Sequence, residues 1–182
     1  DCTPDELRAQ IRQMRAAGAN FLPLTKAVDR MTGAERIPLD SPTICITFAD
    51  NYAGFLKHAW PILKEENIPV TLFVHTGHVG SQKGRPKMTW DQLKELQASG
   101  LVWVESQTVS HAPDLAKLTD AQLKKEMEIS RASIEKHLGR APEFVAYPNG
   151  KYNERAMAAA QAAGYRAGFS EKQMPAEASP GI

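Results

Sequence analysis

Two stretches, "TFADN" at 47–51 and "ESQTVSH" at 105–111, place Asp50 and His111 directly after runs of strand-forming residues. A carboxylate and imidazoles gathered on one rim can hold a divalent metal, and a bound metal can activate water for hydrolysis. That chemistry also needs a proton acceptor, so a second acid is expected beside Asp50. The neighbour is Ala49, which can neither take up a proton nor bind a metal. His75 and His78 follow a third apolar run, and Tyr147-Pro148-Asn149-Gly150, with Lys151 and Tyr152, follows a fourth. Taken singly, each has a plainer reading. An Asp after a strand is commonly a turn or helix cap, the three histidines serve equally well as loop residues, and Pro-Asn-Gly is ordinary turn chemistry. The weight lies in their convergence at the ends of strands. The other two histidines, His58 and His137, fall in helical stretches and are read as surface residues.

The elements that must position these residues alternate strand and helix. "TPDELRAQIRQMRAAG" opens with a capping box, Thr3 and Glu6, and Pro4 at the first helical position. "NFLPL" reads as a short extended piece and "TKAVDRM" as a short helix. "TICITF" (43–48) reads as one buried strand, followed by a helix around 55–66 that Pro61 should kink or start late. "VTLFV" (70–74), "LVWVES" (101–106), "EFVAY" (143–147) and "YRAGFS" (165–170) are further strands. Between them lie helices with boxes Thr89/Gln92 and Thr119/Gln122, and the helix "NERAMAAAQAAG". The expected fold is α/β: a single parallel (β/α) domain over 1–182, open or curled into a distorted, incomplete barrel, with 171–182 a loop tail. Ligands of such folds bind at the carboxyl ends of the strands, where the residues above collect.

Composition narrows the function classes. A chain of 182 residues suits one core, and 42% hydrophobic with 24% charged residues is ordinary for a globular protein. The net charge of +1, without a long basic run, argues against nucleic acid or an anionic membrane as partner. No apolar stretch approaches the roughly 20 residues of a membrane span. The chain opens at Asp1 without Met, so a leader removed upstream is compatible with it. Cys2 and Cys45 are expected to be free thiols, Cys45 within a buried strand. No Gly-x-Ser-x-Gly elbow and no Gly-x-Gly-x-x-Gly after the first strand is present, which weighs against a serine hydrolase and a dinucleotide-binding fold. A generic α/β hydrolase-like domain using His75 or His78 is the reading left open without any resemblance.

"TFADNYAGF", "ESQTVSHAPDL" and "AYPNGKYNE", in that order, resemble the motifs of the polysaccharide deacetylases, the NodB-like carbohydrate esterase family 4. The similarity runs from about residue 3 to about residue 180 and is nearest to the branch that de-N-acetylates poly-N-acetylglucosamine. In that family the first motif is Thr-Phe-Asp-Asp, the second His-Ser/Thr-x-x-His, and the third ends in Pro-Tyr-Gly or a close variant. The resemblance implies that Asp50 matches the metal-binding aspartate and His111 the second metal-binding histidine. Gln107 stands in place of the first histidine, and Ala49 stands at the position of the missing catalytic base. Asn149 stands where a tyrosine lends its backbone N–H to the oxyanion. Asn51, Tyr52, Tyr147, Pro148, Asn149, Gly150 and Tyr152 would line the substrate groove. A later Leu-His motif, the family's candidate general acid, has no counterpart before Ile182.

The resemblance therefore implies a metal-dependent hydrolase of N-acetyl groups on amino-sugar polymers, with zinc, cobalt, nickel or iron as cofactor. Its partner would be a polysaccharide or amino-sugar oligomer, and its location secreted, periplasmic or at the cell surface, as that substrate class requires. Two substitutions predict impairment. A neutral amide at Gln107 is a poor ligand for such metals, and losing a general base typically costs about 10²–10⁴-fold. The alternative is a non-catalytic glycan-binding module that kept the groove.

Overall fold

The computed structural model describes residues 2–34 and 41–171. In chain order the elements are α1 (Pro4–Ala16), β1 (Asn20–Phe21), α2 (Leu24–Met31), β2 (Thr43–Ile44) and β3 (Ile46–Phe48). A π-helical turn (Phe55–Ala59) leads into α3 (Trp60–Glu65), then β4 (Val70–Val74), α4 (Trp90–Ala98) and β5 (Val102–Ser106). The chain closes with α5 (Asp120–Leu138), β6 (Phe144–Ala146), α6 (Glu154–Ala162) and β7 (Ala167–Phe169). Strands β3 to β7 form a five-stranded parallel sheet in chain order. A sequential order means that every crossover steps the same way. Crossovers share one hand, so the helices fall on one face and the sheet curls around the other. The result is the expected α/β half-barrel. The loop tail expected over 171–182 lies, from 172 onward, outside the described residues.

Both faces of the sheet are buried, which is why its strands read as apolar runs. Alternation along β4 sorts the two layers. Val70, Leu72 and Val74 pack outward with Ile62, Leu63, Leu93 and Ile134 of the helices. Phe73 points into the half-barrel with Phe144 and Ala167, against Leu24 and Val28 of α2. The capping boxes form as the sequence predicts at Thr3/Glu6, Thr89/Gln92 and Thr119/Gln122. Each satisfies two backbone donors at a helix start.

One expectation needs correction. "TICITF" is not one buried strand. Its first half pairs with β1 (Phe21↔Ile44) and its second with β4 (Ile46↔Val70), so the chain changes partner at Cys45. Lying at the sheet edge, the segment and Cys45 are only half-buried. Cys2 and Cys45 are free thiols. The helix after the first motif starts late, as expected from Pro61: a π-helical turn over Phe55–Ala59 precedes the α-helix at Trp60. Pro61 has no N–H to continue an α-helical ladder, and the Trp60 amide reaches back to Phe55 O in a wide turn before α3 proper.

Candidate functional site

The loops leaving the strands hold most of the backbone strain. Among the described residues, the non-glycine positions with left-handed φ are Asp50 (69°), Asn51 (41°), Thr108 (65°), His111 (54°), Asn149 (54°) and Asn67 (51°). All but Asn67 lie in the sequence motifs at the strand exits. Such conformations cost about 1–3 kcal/mol each where the residue is not glycine, and they persist only when the surroundings enforce them. Thr108 is the extreme case, since a β-branched residue is a true outlier there.

Asp50, Gln107 and His111 meet. Asp50 Oδ1 lies 3.4 Å from His111 Nε2. The Asp50 amide donates to Gln107 Oε1 at 2.9 Å. Gln107 is itself buried and anchored by its own N–H to Val74 O at 2.7 Å. Ala49, beside Asp50, is exposed and presents only a methyl group. Asn51 turns inward, 2% exposed, and neither atom of its amide has a partner. Its backbone carbonyl accepts from Met88 N at 2.9 Å.

That last bond belongs to a seam the sequence did not reveal. Ala53 N donates to Pro86 O, and Tyr52 and Lys87 form an antiparallel bridge. The seam delivers the Lys87 ammonium into the cleft. Its Nζ donates to Asp50 O at 2.8 Å, lies 3.1 Å from His75 Nε2, and rests 3.5 Å from the centre of the Tyr52 ring. His75 Nε2 is also 3.2 Å from Asp50 O, so it can donate to that carbonyl or accept from Lys87, but not both. Burial, reinforced by the Lys87 charge, pushes the His75 imidazole down to about 4, so it is neutral at ordinary pH. Its ring lies 5.2 Å from that of His111 and 5.0 Å from that of His78, which stays exposed. His75 is thus part of the site, which spacing alone left open. His58 and His137 are exposed, as expected; His137 stacks on Trp90.

The loop carrying His111 is held by a second residue without a sequence signal. Glu126 of α5 accepts from Val109 N (2.8 Å) and Ser110 N (2.9 Å) through one oxygen, and from Ser110 Oγ (2.7 Å) through the other. The expected groove residues of the third motif form a unit of their own. Tyr147 and Tyr152 stack, centroids 4.5 Å apart. Tyr147 is 5% exposed, and burial raises its hydroxyl to about 12. Gly168 makes room for that ring, because a Cβ there would come within 2.6 Å of Tyr147 Cζ. Pro148 is buried, Asn149 is exposed, and Gly150 passes close to Glu171, leaving only 3.0 Å between a Cβ and the Glu171 amide. Asn149 Nδ2 donates to Pro113 O, which ties this turn to the loop after His111. An open groove of about 640 Å³ runs along the other side of the first motif, lined by Ala49, Asn51, Tyr52, Phe55 and Met88 among others.

Against a divalent metal this donor set falls short. Asp50 and His111 supply one edge of a ligand polyhedron. Gln107 spends its oxygen on the Asp50 amide, and Lys87 stands against the His75 nitrogen. Among the described residues, no three His, Cys, Asp or Glu side chains are arranged to hold a metal ion. The residues present do not fit a metal held by the usual three protein ligands.

The chain as a whole has clear relatives. Residues 36–168 match the family model for polysaccharide deacetylase. The poly-beta-1,6-N-acetyl-D-glucosamine N-deacetylase of Staphylococcus aureus is 28% identical over 178 residues, covering 91% of this chain and 59% of that protein. The chain spans about half the length of the curated relatives it matches, 48% to 59%. Among solved structures, IcaB from Ammonifex degensii superposes with a TM-score of 0.86 at 27% identity, over 92% of this chain and 75% of that one. The Streptococcus pyogenes deacetylase PplD, in complex with acetate, gives 0.81 at 28% identity, over 90% and 70%. The family match covers all three strand-exit motifs and the sheet that presents them, and the chain belongs to the polysaccharide deacetylase family.

Proposed function

We propose that residues 1–182 form one polysaccharide-deacetylase domain that recognises amino-sugar polymers of the poly-N-acetylglucosamine kind and hydrolyses their N-acetyl groups slowly or not at all. One observation carries this reading: the exposed position beside the Asp50–His111 pair, where a base would take a proton from water, is Ala49. A methyl group accepts no proton, and general-base catalysis is typically worth about 10²–10⁴-fold. The ligand-poor cleft compounds the loss, because residues that act as a unit are not additive in their effects. The relatives support the substrate class through the S. aureus enzyme's polymer. Contact with the sugar would fall to the half-exposed rings of Tyr52 and Tyr152 and to the turn at Asn149 and Gly150, with the buried Asn51, Tyr147 and Pro148 shaping the walls behind them. Aromatic faces supply the apolar contact area that sugar rings present. A polymer of this kind places the protein outside the cell or in its envelope.

A second reading, a glycan-binding module with no residual hydrolysis, draws on Lys87, whose ammonium fills space in the cleft next to Asp50 and His75. Deacetylation of N-acetylglucosamine oligomers, assayed with added zinc or cobalt, separates the two. A slow acetate release that Asp50→Asn abolishes favours the impaired enzyme. Oligomer binding with no acetate release favours the module. Neither binding nor hydrolysis would sink both.

A further inference from the structure

We propose that Lys87 replaces the divalent cation of this cleft: its ammonium is the resident positive charge beside Asp50, and it excludes a metal ion. The proposal concerns the cleft's own charge balance and holds whether or not the groove takes a glycan. It rests first on how firmly the ammonium is placed. The Tyr52–Lys87 bridge, Met88 N to Asn51 O (2.9 Å) and Ala53 N to Pro86 O (2.8 Å) fix the backbone on both sides of Lys87 against the loop that carries Asp50. The side chain is half-buried. Its Nζ is held from below by the Tyr52 ring at 3.5 Å and from the side by Asp50 O at 2.8 Å. A cation over an aromatic face and against a carbonyl is doubly stabilised.

It rests next on what the ammonium displaces. Among the described residues, the groups in contact with Asp50 that could supply a third ligand are Gln107 and His75. Gln107 Oε1 is bound to the Asp50 amide, and His75 Nε2 is 3.1 Å from Lys87 Nζ. A divalent ion drawn to His75 would meet a like charge a few ångströms away. Such repulsion in a partly solvated cleft is large compared with the energy of one tenfold step in affinity. The amide at position 107 and the ammonium at position 87 thus act in the same direction, against a bound metal.

Zinc chloride titrated into the purified full chain by calorimetry, with metal analysis after dialysis, tests this without any activity assay. The unaltered chain and Lys87→Arg should bind no stoichiometric zinc, since both keep the charge. Lys87→Met should gain at least about tenfold in zinc affinity, and Asp50→Asn in the Lys87→Met background should remove that gain. Gln107→His should bind zinc more weakly alone than together with Lys87→Met. Stoichiometric zinc in the unaltered chain, lost with Asp50→Asn, would overturn the proposal. So would an unchanged affinity in a Lys87→Met protein whose near-ultraviolet circular dichroism is native. If Lys87→Met does not fold, Lys87→Gln, which keeps a polar tip over Tyr52, decides the question on the same criteria.

Discussion

Glu105 near the end of β5 and the rim that begins just beyond Ser106 receive opposite treatment. The Glu105 side chain is wholly buried, yet every partner is present. Arg140 Nη2 donates to one oxygen at 2.7 Å, and the Glu143 and Phe144 amides donate to the other at 2.7 and 2.8 Å. Desolvation raises its pKa while Arg140 and the amides oppose the shift. The backbone there is regular strand. Past Ser106 the chain enters the rim, where Thr108 is left-handed and Thr108 Oγ1, both polar atoms of the Asn51 amide, Thr76 Oγ1 and His75 Nδ1 are buried without partners. Buried polar atoms are normally satisfied; Gln97 Oε1 and Arg131 Nε are orphans on α4 and α5, but the others gather at this rim and mark a place shaped for something other than stability. The difference teaches that this fold anchors its half-barrel with a completed polar network and concentrates its strain where a ligand would sit.

The comparison predicts where substitution should hurt. The largest effect belongs to Glu105→Ala, which leaves the buried Phe144 amide and the part-buried Glu143 amide without an acceptor and removes the closest carboxylate from Arg140. We expect a loss of about 3–5 kcal/mol in urea unfolding; a loss no larger than a surface substitution would break the contrast. Gly168→Ala comes next. The added methyl meets the Tyr147 ring, and overpacking should cost about 1–3 kcal/mol and change the near-ultraviolet signal of the stacked tyrosines. At the rim, Thr108→Gly should be neutral or stabilising, within about 1 kcal/mol, because it relieves a left-handed β-branched residue and removes an orphan hydroxyl. A substantial loss there would mean that the rim is not strained as argued.

The remaining effect is a pH dependence. His75 ionises near 4 in the folded chain, against an ordinary 6.5. Between those values the unfolded chain binds a proton that the folded one refuses. Its contribution to stability is therefore full above about 6.5 and is lost as pH falls towards about 4. Urea midpoints at pH about 7 and about 5 should differ less in His75→Asn than in the unaltered chain.

Much of this was legible in the sequence. Three Thr-x-x-Glu/Gln boxes set helix starts because capping is a local interaction. The alternation of apolar runs gave the parallel sheet, and the motifs at strand ends brought Asp50, Gln107 and His111 together. What escaped was non-local. Lys87 reaches Asp50 across 37 residues, and Glu126 reaches Val109 across 17. No period or turn signal announces a side chain that acts at such a separation. The partner change at Cys45 was hidden for a related reason, since strand propensity says that a segment is extended but not which neighbour it pairs with.

If a recognition groove persists around a cleft that lacks a proton acceptor and a third ligand, turnover and affinity must part company. Both are measured on the same N-acetylglucosamine oligomer, for the unaltered chain and for Ala49→Asp with Gln107→His, the pair made with and without Lys87→Met. The unaltered chain should release little or no acetate. The chain carrying the pair should gain at least about 10²-fold in kcat, most when Lys87→Met is included, with oligomer Kd little changed. Deacetylation by the unaltered chain at a rate that none of these substitutions improves would contradict this, and would mean that a different base and a different ligand set operate in this cleft.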